Sequence, residues 1–147
     1  MLFLNRAMLL LILCSTTAVA TAQQMKTPVF EQFPSSIEIS ESVLANAIQM
    51  SKGQQSQIDF GDLKFSGIVI SNTQVFENLQ TIIIKSSEYN NALLQVSKQI
   101  LEDKSIAYVG RIFSEKSADG YQIRRANGGG YSLQKFEAAV IRQDCNQ

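Results

Sequence analysis

The side chains in this sequence that could do chemistry are few and scattered. Asp59 and Asp62 flank Gly61 closely enough for their carboxylates to meet. Acid–base hydrolysis or a calcium-like cation would need such a pair. A calcium loop draws on several oxygen ligands at fixed offsets, and only two carboxylates lie near one another here, so a solvated turn is the simpler reading. Ser132 and Lys135 have the S-x-x-K spacing of serine–lysine acyl enzymes. That pair works from the start of a helix, whereas the local period is two, and an offset of three sends strand side chains to opposite faces. Gly128, Gly129 and Gly130 have the composition of a phosphate cradle. They lead into a strand, however, where no helix N-terminus would present its amides to an anion.

Histidine is absent from the 147 residues, as is tryptophan. The commonest general base and the commonest metal ligand are therefore missing. Zinc sites of the usual kinds need Cys or His, and the chain has only Cys14 and Cys145. The expectation is a protein without a catalytic residue set, a cofactor or a bound metal. Cys145 lies in the polar tail Asp144-Cys145-Asn146-Gln147 with no base nearby to form a thiolate. It is either a free thiol or half of an intermolecular disulfide.

Residues 1–22 have the anatomy of a cleavable signal peptide: one early cation at Arg6, an apolar run over 7–14, and small residues leading to Ala20 and Ala22. The run is shorter than the roughly 20 residues that span a bilayer, and no second such run follows. The expectation is an exported protein, periplasmic or secreted, cut near Ala22 and retaining no transmembrane helix. A lipid anchor on Cys14 would want a small residue before it, and Leu13 is bulky. The remaining 125 residues are enough for one domain with a real core.

Charge is unevenly spread after the cut. Residues 23–103 hold five Lys against nine acids, and residues 104–142 hold seven Lys and Arg against three acids. The overall balance is near neutral and points to no nucleic-acid partner. Arg111, Lys116, Arg124, Arg125, Lys135 and Arg142 are candidates for a surface that meets an anionic partner. The same cations would also serve as solvated strand faces that discourage edge pairing.

These residues must be carried by short elements. Residues 23–36, with Pro28 and Pro34, show no period and read as an extended arm. Ile37 and Ile39 then alternate with polar neighbours and lead into a helix over about 41–52, with Ser40 as cap, Glu41 at the positive dipole end and Gly53 as the stop. Beyond it the period is two. Ile58 and Phe60, a turn at Gly61-Asp62, then Leu63, Phe65 and Val69 read as a hairpin. The β-branched run Thr81-Ile82-Ile83-Ile84 suits a central strand. Residues 92–100 fit a helix through Leu93, Val96 and Ile100, or a strand through Leu94, Val96 and Lys98. Residues 105–113 and 121–125 form another hairpin around Ala118-Asp119-Gly120, and Tyr131, Leu133 and Lys135 continue the alternation toward Val140 and Ile141. The eight Phe and four Tyr, spaced at strand periods, read as core. The predicted fold of 37–147 is mainly β (α+β): an antiparallel meander of about six or seven short strands, curled or closed into a small barrel, with one N-terminal amphipathic helix.

Tyr108-Val109-Gly110-Arg111-Ile112, Ala118-Asp119-Gly120-Tyr121 and Tyr131-Ser132-Leu133-Gln134-Lys135 resemble strings in small exported proteins of Bacteroidota-type bacteria that have no assigned function. The likeness covers residues 67–145 and implies a bacterial envelope or secreted setting without implying an activity. The residues themselves point to a non-catalytic binding domain for a protein or small-molecule partner, with edge strands and polar turns as its surface. The alternatives are a curled sheet holding a small apolar ligand and, third, a carboxylate-dependent enzyme.

Overall fold

Apolar–polar alternation builds eight antiparallel strands in one sheet, where the spacing predicts six or seven. The computed structural model describes residues 26–126 and 128–137, so the leader with Cys14, and Val140, Ile141, Arg142 and Cys145, lie outside the described residues. In chain order the elements are β1 (Ser36–Ile39), α1 (Glu41–Ile48), β2 (Gln55–Asp59), β3 (Lys64–Phe76), β4 (Leu79–Lys85), β5 (Leu93–Ile100), β6 (Ile106–Phe113), β7 (Asp119–Arg125) and β8 (Tyr131–Glu137). Across the sheet the order is β1-β8-β7-β6-β5-β4-β3-β2. From β2 onward each strand pairs with its chain neighbour, which is the expected meander. The added strand is β1, whose four residues pair with β8 (Ile37 opposite Leu133, Ile39 opposite Tyr131). Helix α1 carries the chain from that edge to the other. The edges β1 and β2 do not pair, and the sheet curls into an open half-barrel instead of closing.

The helix ends four residues before the periodicity predicts. Ser40 has the extended backbone of a cap, but its hydroxyl bonds Ser42 (2.7 Å) and makes no side-chain cap. At the other end, Asn72 donates its side-chain amide to the carbonyls of Ile48 (2.9 Å) and Met50 (2.7 Å), and Gln80 donates to Ile48 (3.2 Å). Carbonyls that a helix C-terminus leaves free are thus satisfied by the sheet. Leu44, Ala47 and Ile48 are buried, with α1 lying over β4 and β5.

Two inward rows run through the register. One is Ile37, Leu133, Ile123, Gly110, Val96, Ile82 and Asn72, and the other is Lys135, Tyr121, Ile112, Leu94, Ile84 and Val69. Residues 93–100 are a strand because they fill the slot between β4 and β6, where Leu94 and Val96 are wholly buried. Asp119 and Gly120 also belong to a strand, not to the turn the sequence predicts there. They pair with Glu137 and Phe136, and the turn lies just before them.

Candidate functional site

Residues 26–35 close one end of the half-barrel and bring together the strongest polar cluster. Phe30 is fully buried, with its ring 5.3 Å from Tyr89 and 5.7 Å from Tyr121. The amides of Val29 and Phe30 donate to the two carboxylate oxygens of Asp119 (2.7 and 2.9 Å). The Lys135 ammonium donates to the carbonyls of Phe30 (2.7 Å), Glu31 (3.4 Å) and Phe33 (2.5 Å), and the Tyr121 hydroxyl donates to that of Pro34. Burial, with Asp119 and then Asp62 nearby, pushes the Tyr121 phenol up to about 12. The cluster spends most of its donors and acceptors on the arm's own backbone and so holds the arm to the sheet.

The other candidate chemistry is dispersed. Asp59 accepts the Gly61 amide (2.8 Å) and lies 3.6 Å from the Lys64 ammonium, which makes it a turn residue. Ser132 and Lys135 sit on opposite faces of β8, since Leu133 and Lys135 share the inward rows. Gly128, Gly129 and Gly130 are an exposed turn ahead of β8. Among the described residues, no three of Cys, Asp and Glu gather as a metal site would require.

The predicted basic surface divides. Lys135 points inward. Arg125 lies near Asp103, whose carboxyl is held below its ordinary range by the Ser105 hydroxyl and amide, with a small contribution from Arg125. Arg124 is exposed on the convex face, bonded to Gln122 (2.9 Å). Lys116 lines a cleft, and Arg111 lies over the Phe113 ring that also lines it. The convex face carries the row Phe136, Gly120, Phe113, Leu93, Lys85 and Ile68, and the cleft, of about 330 Å³, opens along it, lined by Ile70, Leu93 and Phe113 and rimmed by Lys85, Lys116 and Glu115. The Arg111 guanidinium stands 4.4 Å over the Phe113 ring beside it.

No family model, curated protein or solved structure matches this chain. The site is therefore read from its own chemistry. Antiparallel sheets usually turn polar residues outward, yet Ile68 and Ile70 are 47% and 41% exposed here. The signal for this was the unbroken run Ile68-Val69-Ile70, which makes both faces of β3 apolar. Lys85 and Phe113 could not be joined to that run without the strand order. No helix among the described residues is long and apolar enough to cross a membrane.

Proposed function

We propose that this protein is an exported, non-catalytic binding domain whose convex cleft takes a short segment that pairs an aromatic or aliphatic group with a carboxylate. The observation that carries the reading is the apolar floor of Ile70, Leu93 and Phe113 beneath the cations Lys85, Lys116 and Arg111. An exposed apolar patch with a charged rim suits recognition more than solubility. Export rests on the leader anatomy of residues 1–22, and a cut near Ala22 falls ahead of Thr27, which bridges Ser117 in the β6–β7 loop. The likeness to small exported bacterial proteins supports the same setting. A small apolar ligand inside the curl has the packing against it, because Phe30, Leu44, Ile48 and Phe65 already fill that space. A carboxylate-based reaction has Asp59 engaged in a turn against it.

Calorimetric titration with an acetylated, amidated Phe-Glu-Glu peptide tests the reading. Saturable binding is expected, weakened about tenfold by Lys116→Glu, which exchanges an attractive rim charge for a repulsive one. Equal binding of a Phe-Lys-Lys peptide, or no saturable binding of either, would overturn it.

A further inference from the structure

The end of the sheet opposite the cleft offers a complementary feature. The β3–β4 turn projects there, and Phe76 is 66% exposed, the most exposed of the large apolar side chains among the described residues. Val75 is exposed beside it. Glu77 follows directly, and Glu102, Asp103 and Lys104 stand on the adjacent β5–β6 turn, with Arg125 near Asp103. The two turns are tied together, since the Ile100 amide donates to the Asn78 carbonyl (2.9 Å). Gln74 stiffens the tip by donating its side-chain amide to the carbonyls of Phe76 and Glu77. The tip is thus a preformed apolar knob with acid-rich flanks, while the cleft is an apolar hollow whose rim holds Lys85 and Lys116 with Glu115, Asn90 and Asn91.

The knob cannot fill its own molecule's cleft. Ile70 and Phe76 are on the same strand, about 20 Å apart at ordinary strand rise, and the tip points away. The loops beside the cleft, 86–92 and 114–118, close the opposite end of the strands.

We infer that the occupant of the cleft is the β3–β4 tip of a second copy of this chain, with Phe76 on the floor of Ile70, Leu93 and Phe113 and Glu77 against Lys85 and Lys116. This rests on the cleft being a binding site, as proposed above, and names its partner. The contact joins unlike surfaces, so each copy keeps one free knob and one free cleft, and assembly continues head to tail along the strand direction. A stiff knob loses little freedom on docking, which favours such a small contact. The attraction between the charged flanks weakens as salt rises.

Sedimentation velocity under reducing conditions tests this on the chain as cleavage after Ala22 would leave it. The expected result is a mass that grows past the dimer with concentration and shrinks with salt. Phe76→Ser and Lys116→Glu each lower the association by about 30-fold and about tenfold respectively, the first being loss of an aromatic anchor and the second reversal of a rim charge. Because Phe76 and Lys116 are exposed, both variants keep the wild-type circular dichroism. The decisive sample mixes the two variants. One retains its cleft and the other its knob, so together they form a one-to-one dimer that grows no further. A wild-type monomer at all concentrations, a dimer that stops growing, or a mixture that fails to pair would overturn the inference. If the Phe-Glu-Glu peptide binds while the chain stays monomeric, self-association falls and the binding reading stands; if neither occurs, both fall.

Discussion

Lys135 ties the arm of residues 26–35 to β8 through its ammonium. It is in phase with Tyr131 and Leu133, so alternation already turns it inward, but a charge is ordinarily assigned to solvent. Inside, its ammonium finds three carbonyls of the arm. Replacing it by Met removes those donors and keeps the stem's apolar contacts. Lys135→Met is expected to cost about 2–3 kcal/mol in urea unfolding, because desolvated carbonyls lose a charged partner. A loss below about 0.5 kcal/mol would mean that water replaces the ammonium at no cost. Tyr121 gives a second prediction. Its folded pKa of about 12 lies above the ordinary 10.0, so the folded state favours the neutral phenol. That stabilisation is whole below pH 10, declines as the unfolded chain ionises, and is lost as pH rises past about 12. Melting temperature across this window should fall more steeply for wild type than for Tyr121→Phe. Parallel curves would count against it.

Among the elements, β3 is the one whose shape depends most on an irregularity. A bulge between Val69 and Ser71 places both Ile70 and Ser71 toward the convex face and returns Asn72 to the inside. Without that phase change Asn72 could not reach the end of α1. Asn72→Ala should therefore destabilise the fold by about 1–2 kcal/mol, and hydrogen exchange should show faster opening of the helix C-terminus than of β5. Uniform exchange across the two elements would argue that the amide contacts are incidental. At the centre of the sheet, Gly110 lies between Val96 and Ile123, and an added Cβ would run into the Gln95 carbonyl and come within 2.9 Å of Ile123 Cδ1. Gly110→Ala is expected to lower stability by at least about 2 kcal/mol, since backbone cannot yield as a flexible side chain does. Thermal unfolding with an unchanged midpoint would exclude that crowding.

For the whole molecule, the arm is the element that completes the core. The sheet curls around α1 but leaves one end open, and Phe30 closes it against Tyr89 and Tyr121. Phe30→Ala should cost about 3–5 kcal/mol, as removal of a fully buried aromatic ring does. Denaturant unfolding that kept the wild-type midpoint would show that the arm rests on a core complete without it. The sheet is open at β1 and β2, and the helix packs on its concave side over β4 and β5, so the concave side is a packed interior and the convex side is exposed.

The β class, the antiparallel meander, the start of the helix and most inward residues are legible in the sequence, because these follow from local periods of two and 3.6 and from turn chemistry. Asp59, Gly61 and the β-branched run at Ile82 and Ile84 are where those local rules place them. Whatever depends on distant partners came from the folded chain. It set β1 beside β8, fixed 93–100 as a strand between two others, bent β3 at its bulge, and drew the proline-bearing arm into the core through Asp119 and Lys135. It also assembled Ile70, Lys85, Leu93, Phe113 and Lys116 from four strands and a loop into one cleft. Each of these rests on contacts between residues far apart in the chain, whose free energy exceeds the weak local preferences that a sequence displays.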